Sequence, residues 1–600
     1  MRILSPSPPP FLLGRLPTCR VTRATFSAQR LLVAARPARA INIFSLFQST
    51  KNLIAPKITG VASVASDEVM LYRHNQLLRR RPEEQELIDI AAAPIFTYPV
   101  MKHTEQLARE SSQKPFTQYA LFGADAQTLQ RSPDQDSRML YNVATPTSFF
   151  ICGSQGSGKS HTLSCILENC LIPSESLGSL PNPLAGIVFH YDNYLSDTGG
   201  TPCEAAYLSS DPRVKVRVLC SPSNISNVKN TYSSFKNITV EELRLDESDL
   251  NTKRMLDLMS FDKNPPLYMH TVQRVLREMR IDQQKTGTAF KYQDFIKALD
   301  TAKMDGSQSG ALRQRLENLE TFMLPEQVKQ KKGSQPQPQK KKKKKGKKQQ
   351  APDEKSETEN PPEEVESTTA KGTDWTLKAG ELIIVDLSCP TITSAVASSL
   401  FNMCLSIFLA QETSLGRVVA LDEAHKYMDQ TADSAALTNT LLSTIRLQRH
   451  LGVRVVISTQ EPTISPKLLD LSSIAIIHRF TSPDWFNALK KHLAGVALLS
   501  KITNMERPKP LEEGRDEETP ISLNVEASSN ELTSRLFARI VTLKTGEALV
   551  FAPSAVVGLE EEVCPKKGTR TTHKRLAQDA IHILVRSRIT ADGGKSIMAS

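Results

Sequence analysis

A chain of 600 residues fits roughly two to four domains, and 39% apolar with 23% charged residues is enough for a sizeable buried core. It holds no run of about 18 or more strongly apolar residues, so membrane insertion is not expected. The net charge of +11 is concentrated in residues 1–66 (+9) and 329–348 (+11), which leaves the remainder at −9; overall basicity is therefore no evidence for a nucleic-acid groove.

Residues 1–66 are rich in Arg and Ser and contain no acid. This composition is that of a mitochondrial transit peptide and predicts a matrix location; a plain disordered basic leader is the alternative. Residues 67–140 alternate charged helical stretches with Pro-containing loops and show no motif. The apolar run SFFICG (148–153) then predicts a strand, followed by GSQGSGKS (153–160) and a helix, HTLSCILENCLI.

That octapeptide fits G-x-x-x-x-G-K-[ST]. A loop that wraps phosphate oxygens needs backbone clearance at Gly153, Gly156 and Gly158. Its amides, with those of Ser154, Gln155, Ser157, Lys159, Ser160 and His161, face the ligand at a helix N-terminus, where the partial charge is positive. Lys159 is expected to neutralise β- and γ-phosphate oxygens, and Ser160 to ligate Mg²⁺. The cofactors implied are ATP and Mg²⁺.

Further strands are predicted at GIVFHY (186–191), VKVRVLC (214–220), ELIIVDL (381–387), RVVALD (417–422), RVVISTQ (454–460) and IAIIHRF (474–480). Near-continuous apolar strands separated by helical patterns are those of a parallel sheet covered on both faces. The expected fold class is therefore α/β: a P-loop NTPase of RecA/ASCE type, its mostly parallel sheet flanked by helices, with a helical insertion over 240–325. The uncharged segment 387–411 reads as a helix buried against the sheet.

Residues 326–373 hold a Lys-rich block and then an acidic stretch. They cannot form a core and are expected to be disordered. The block also reads as a nuclear signal or a nucleic-acid tether, so nuclear and cytoplasmic locations stay open beside the matrix. The expected division is 1–66 leader, 67–140 region of unknown role, 141–325 and 374–556 as two segments of one ATPase domain around the linker 326–373, and 557–600 as a tail with a helix. The nine cysteines include no CxxC pair and read as scattered core thiols in a reducing compartment.

Two predicted strands end in aspartate, Asp386 and Asp422. Only Asp422 is followed by an acid, Glu423. Hydrolysis needs an oriented, partly deprotonated water as well as a metal carboxylate. Asp422 is accordingly assigned to the Mg²⁺ shell, Glu423 to general base, and Asp386 to capping a neighbouring loop. Gln460, at the end of the ISTQ strand, is placed to contact γ-phosphate or the attacking water. Arg446 and Arg449, on the helix between, are candidates for a charge offered to a neighbouring subunit's site.

In this order, GSQGSGKS, GELIIVDLS, VVALDEAHKYM, STIRLQRHLGVRVVISTQEP and IAIIHRF resemble the HerA–FtsK superfamily of P-loop ATPases, closest to the HerA-like branch. The resemblance implies a ring-forming, usually hexameric, ATP-driven motor that moves DNA. It supports Lys159, Ser160, Asp422, Glu423 and Gln460, and less decisively Arg446 and Arg449. HYDNY (190–194) loosely matches the family's turn after the second strand, without its Gly-Glu pair. The letters DEAH do not make a helicase box here, because no second motor lobe follows. The leading expectation is a DNA motor; a protein-remodelling ATPase and an ATP-binding scaffold are the rivals.

Overall fold

The computed structural model describes residues 65–78, 82–109, 114–132, 134–193, 200–259, 267–302, 304, 306–328, 371–428, 432–492, 533–564 and 568–593. The leader up to residue 64 and the lysine block therefore lie outside the described residues. Residues up to Arg80 form a unit of their own, of which the helix Ala65–Leu78 is described; everything from Arg81 onward forms a second unit.

Sixteen strands in the second unit join one sheet. In chain order they are β1 (Ile95–Thr97), β2 (Tyr119–Asp125), β3 (Arg138–Asn142), β4 (Ser148–Cys152), β5 (Gly178–Ser179), β6 (Ala185–His190), β7 (Lys215–Cys220) and β8 (Ile238–Glu242). They continue with β9 (Glu381–Asp386), β10 (Arg417–Leu421), β11 (Val453–Thr459), β12 (Ile474–Ile477), β13 (Glu547–Phe551), β14 (Val556–Cys564), β15 (Gly568–Arg575) and β16 (Ile581–Val585).

The strand order β8-β7-β9-β6-β10-β11-β4-β12 is parallel throughout. Residues of β4, β6, β9, β10, β11 and β12 are buried along their whole length. This is why their sequences are apolar on both faces: helices cover each side. The uncharged helix Ser394–Ala410 is one of these covers, with Phe401 packed edge-on against Tyr427. No described helix is long and apolar enough to cross a membrane.

From β12 the sheet continues antiparallel through β13, β16, β2, β3 and β1, and ends on the β14–β15 hairpin. This half corrects two expectations. Residues 67–140 supply three strands, and 557–600 supply strands where a helix was expected. In HKRLAQDAIHILVRSR the turn at Ala577, with φ +52°, breaks helical continuation. The following Ile581–Val585 then finds β13 and β2 as partners, and pairing outweighs its helical pattern.

The helices between Thr252 and Val328 form the insertion, preceded by β8, whose last three residues fall in the stretch expected to be helical. Both ends of the segment 329–370 meet at Arg244. Its guanidinium donates to the carbonyls of Thr321 (3.0 Å) and Met323 (3.1 Å), and its backbone exchanges hydrogen bonds with Thr373. The chain thus leaves and re-enters at one place, and β9 joins the sheet beside β6.

A buried charge cluster ties the C-terminal segment to the helix Lys159–Leu171. Glu168, fully buried, accepts from Arg586 Nη1 (2.7 Å), Thr590 N (3.0 Å) and Thr590 Oγ1 (2.6 Å), and Arg588 lies beside it. Removing the carboxylate leaves two buried guanidiniums short of a partner. Glu168→Ala is expected to cost about 3–5 kcal/mol, read as a lower urea midpoint of the full chain; an unchanged midpoint would refute this account of the anchor.

Candidate nucleotide site

The C-terminal tips of parallel strands are where an α/β sheet exposes backbone to ligands. At the tip of β4 the chain turns through residues 153–158 and starts the helix Lys159–Leu171 at Gly158, whose φ of +110° a side chain rarely adopts. A Cβ on Gly153 would lie 2.7 Å from His478 Cβ, so only glycine fits there. Ser154 is held by Arg479 O, which accepts from its N (2.8 Å) and Oγ (2.9 Å). Ser157 Oγ donates to Ser154 O at 2.7 Å. Gln155 and Gly156 are exposed, and Ser160 and His161 are half-buried. His161 Nε2 contacts Arg586 O at 2.8 Å.

Lys159 is buried. Its Nζ donates to Ser154 O (3.2 Å) and stands 3.9 Å from Glu423 Oε1. Burial pulls its pKa below the usual lysine range, against the opposing pull of Glu423 and Asp422. The glycine loop and the acid pair, more than 250 positions apart in the sequence, therefore share one site.

Glu423 adopts left-handed backbone, φ +46° and ψ +48°, just past β10. For a residue with a Cβ this costs on the order of 1–2 kcal/mol, and the surroundings hold it. Gln460, just past β11, donates from Nε2 to Glu423 Oε2 at 3.1 Å, and its backbone N donates to His425 Nδ1 at 3.4 Å. Burial keeps His425 below the ordinary histidine range, so near pH 7 its Nδ1 accepts, and its 3.3 Å approach to Glu423 is a contact between neutral ring and carboxylate.

Asp422 is buried, with Oδ1 lacking any hydrogen-bond partner and Oδ2 at 3.5 Å from His190 Nδ1. An orphaned buried carboxylate oxygen next to a phosphate loop fits a hydrated divalent cation, with Ser160 as the hydroxyl partner. Asp386 behaves as a loop cap: Tyr232 OH donates to its Oδ2 at 2.7 Å and Ser388 N to its Oδ1 at 3.0 Å.

Arg446 and Arg449 are not in this chain's own site. Both are exposed at the end of the helical stretch that leads into the start of β11, opposite the strand tips. Of the HYDNY turn, Asp192 pairs with Lys426 at 3.3 Å, and Tyr194 lies outside the described residues.

One supporting residue carried no sequence signal beyond its place at a strand end. His478, buried just past β12, contacts Glu547 O through Nδ1 (2.9 Å) and Thr162 Oγ1 through Nε2 (3.0 Å). A carbonyl can only accept, so Nδ1 carries the proton and Nε2 accepts from the threonine. Burial pushes its pKa down to about 4.

The phosphate-loop strand β4, the intervening β11 and the acid-bearing β10 give the strand arrangement of an ASCE-type P-loop fold. No family model and no curated protein matches the sequence. Similar solved structures include VirB4 of Thermoanaerobacter pseudethanolicus, at 12% identity and TM-score 0.37, covering 78% of this chain and 96% of that one. The bacterial conjugative coupling protein TrwBdeltaN70 is similar at 12% identity and TM-score 0.36, covering 75% and 87%. The genome packaging NTPase B204 of Sulfolobus turreted icosahedral virus 2, in complex with ATP-gammaS, covers 33% and 68% at 12% identity and TM-score 0.18. The nucleotide site rests on this chain's own geometry.

With a folded pKa of about 4 against the ordinary 6.5, native His478 binds fewer protons than the unfolded chain between those values. Its contribution is intact above pH 6.5 and is lost as pH falls towards 4, by up to roughly 3 kcal/mol. The acid-side fall of the melting temperature is expected to be shallower in His478→Asn, which keeps a donor for Glu547 O; equal slopes would count against the assignment.

Proposed function

We propose that this chain is an ATP-hydrolysing motor that assembles into a ring, a hexamer on the motif resemblance, and acts on DNA. The observation that carries the hydrolytic part is the convergence of Lys159, Glu423 and Gln460 at the tips of three adjacent strands.

The loop amides of residues 153–161 and the helix N-terminus bind the phosphates. Lys159 exchanges Ser154 O for β- and γ-phosphate oxygens. Ser160 and Asp422 hold magnesium, which when bound neutralises charge on the phosphate oxygens. Glu423 takes the proton of the attacking water, and Gln460, already bonded to that carboxylate, orients it. Both sides of the reacting phosphate are then served by groups held before the nucleotide arrives.

Arg446 and Arg449, exposed and away from this chain's own site, serve the site of a neighbouring subunit in this reading. The DNA substrate follows from the resemblance of the ordered motifs to the HerA–FtsK superfamily.

Lys159→Ala is expected to lose nucleotide binding. Glu423→Gln is expected to bind ATP and turn it over at least about a hundredfold more slowly, the scale of a lost general base; normal turnover in that variant would end its assignment.

The substrate is tested by ATPase assay with and without duplex or single-stranded DNA. Stimulation that weakens with rising salt is expected. Strong basal turnover indifferent to DNA would point to protein remodelling, and tight binding with negligible turnover to a scaffold.

A further inference from the structure

Beside the acid strand, Asp422 also belongs to a second cluster, whose other two members hydrolysis does not use. His190 at the end of β6, Cys203 at the start of a short 3-10 helix, and Asp422 each offer one donor atom, and these atoms all lie within 4.8 Å of one another. Nδ1 of His190 is 3.5 Å from Asp422 Oδ2, and Sγ of Cys203 is 4.0 Å from the same oxygen. All three residues are at least nine-tenths buried.

A second observation points the same way. Neither ring nitrogen of His190 has a hydrogen bond of ordinary geometry, although both are buried, and Nδ1 has only its 3.5 Å approach to Asp422 Oδ2. Buried polar atoms are normally satisfied, so an imidazole left in this state needs a ligand or an explanation.

We infer that His190, Cys203 and Asp422 form a binding site for a thiophilic divalent cation of the zinc class, sharing Asp422 with the nucleotide site. Zinc bound through nitrogen, sulfur and carboxylate oxygen at tetrahedral angles sets donor atoms about 3.3 Å (N to O) and about 3.5 Å (S to O) apart. The two separations to Asp422 Oδ2 need a closure of about half an ångström or less, and the His190–Cys203 pair closes from within 4.8 Å. Magnesium does not compete for this set, since it demands oxygen ligands and near-octahedral geometry. Binding releases the Cys203 thiol proton and requires an unprotonated ring nitrogen. Three protein ligands leave a fourth position open.

The surrounding shell positions these ligands. Cys203 N donates to Tyr232 OH (3.0 Å), and the Tyr232 hydroxyl donates to Asp386. Asp422 N donates to Phe189 O at 3.1 Å. The functional consequence rests on the proposed role of Asp422: a cation seated on Oδ2 turns the carboxylate and draws charge from the Oδ1 offered to magnesium, so zinc inhibits hydrolysis. The binding itself does not depend on that role.

The test uses the full chain, stripped with a chelator and titrated with Co²⁺ in the absence of nucleotide. A near-ultraviolet thiolate-to-cobalt charge-transfer band is expected, saturating at one equivalent. Cys203→Ser should abolish it, and His190→Gln should weaken cobalt affinity at least about tenfold. Retained ATP binding by Cys203→Ser shows that the variant is folded. Zinc in the presence of excess magnesium is expected to inhibit wild-type ATPase at least about tenfold more strongly than the Cys203→Ser ATPase. No band at one equivalent, as a buried imidazolium–carboxylate pair would give, or a band that survives in Cys203→Ser, overturns the site. A Cys203-dependent band in a chain that fails to hydrolyse ATP would leave the metal site standing and remove the motor reading.

Discussion

The site depends on β11 lying between β4 and β10. Neighbouring strands are about 4.8 Å apart, so the phosphate-loop strand and the acid strand are separated by roughly 10 Å at their tips. That is a gap which a lysine from one side and a glutamate from the other can close, and Lys159 and Glu423 do so at 3.9 Å. Gln460 stands on the middle strand and bonds the glutamate. The same geometry separates the two aspartates that end apolar strands. β9 is two strands beyond β10, so Asp386 is about 20 Å from β4 by strand count. Distance alone leaves it to cap its own loop.

Charge at the site is economical. Lys159 is the buried cation of the loop, and it faces two carboxylates. Two histidines at the loop and the acid strand, His478 and His425, are held neutral by burial. A neutral His478 fills the space under the loop, which a Cβ on Gly153 would invade, without adding charge to the phosphate cradle. Glu423 sits in left-handed backbone. Strain of this kind persists where surrounding contacts over-determine it, and here Gln460 donates to Glu423 Oε2 while Lys159 faces Oε1.

Much of the parallel half of the fold was legible because it is written locally. A buried parallel strand announces itself as an apolar run, and the glycine loop carries its chemistry in eight consecutive residues. DEAH was readable as a strand end because four apolar residues precede it. The antiparallel half was not legible. IHILV fits a strand or a helix turn until β13 and β2 offer it hydrogen bonds, and those partners are 30 or more residues away in the chain. His478, Cys203 and Glu168 were silent for the same reason. Each has its meaning only through a residue from another part of the sequence: Glu547, Asp422 and Arg586. Arg446 and Arg449 show the opposite limit, since a helix bearing arginines is legible while what those arginines serve is not.

The helix Lys159–Leu171 joins these two halves mechanically. Its first turn belongs to the phosphate loop. One side of it, through His161, Cys165, Glu168 and Asn169, is bound to residues 586–590 of the C-terminal segment. Moving loop and helix together as one body would break buried, charge-assisted bonds, each far costlier than an exposed one. Rearrangement confined to residues 153–158 breaks the Ser154 contacts, where Ser154 O already accepts from Ser157 and Lys159, and a few backbone bonds such as the long Gly546 N–Ser157 O one (3.5 Å), but no buried ion pair. The inexpensive response to a triphosphate is therefore local. In the proposed reading the loop opens, Lys159 exchanges a carbonyl for a phosphate oxygen, and the helix, anchored along its length, keeps its N-terminus aimed at the new charge.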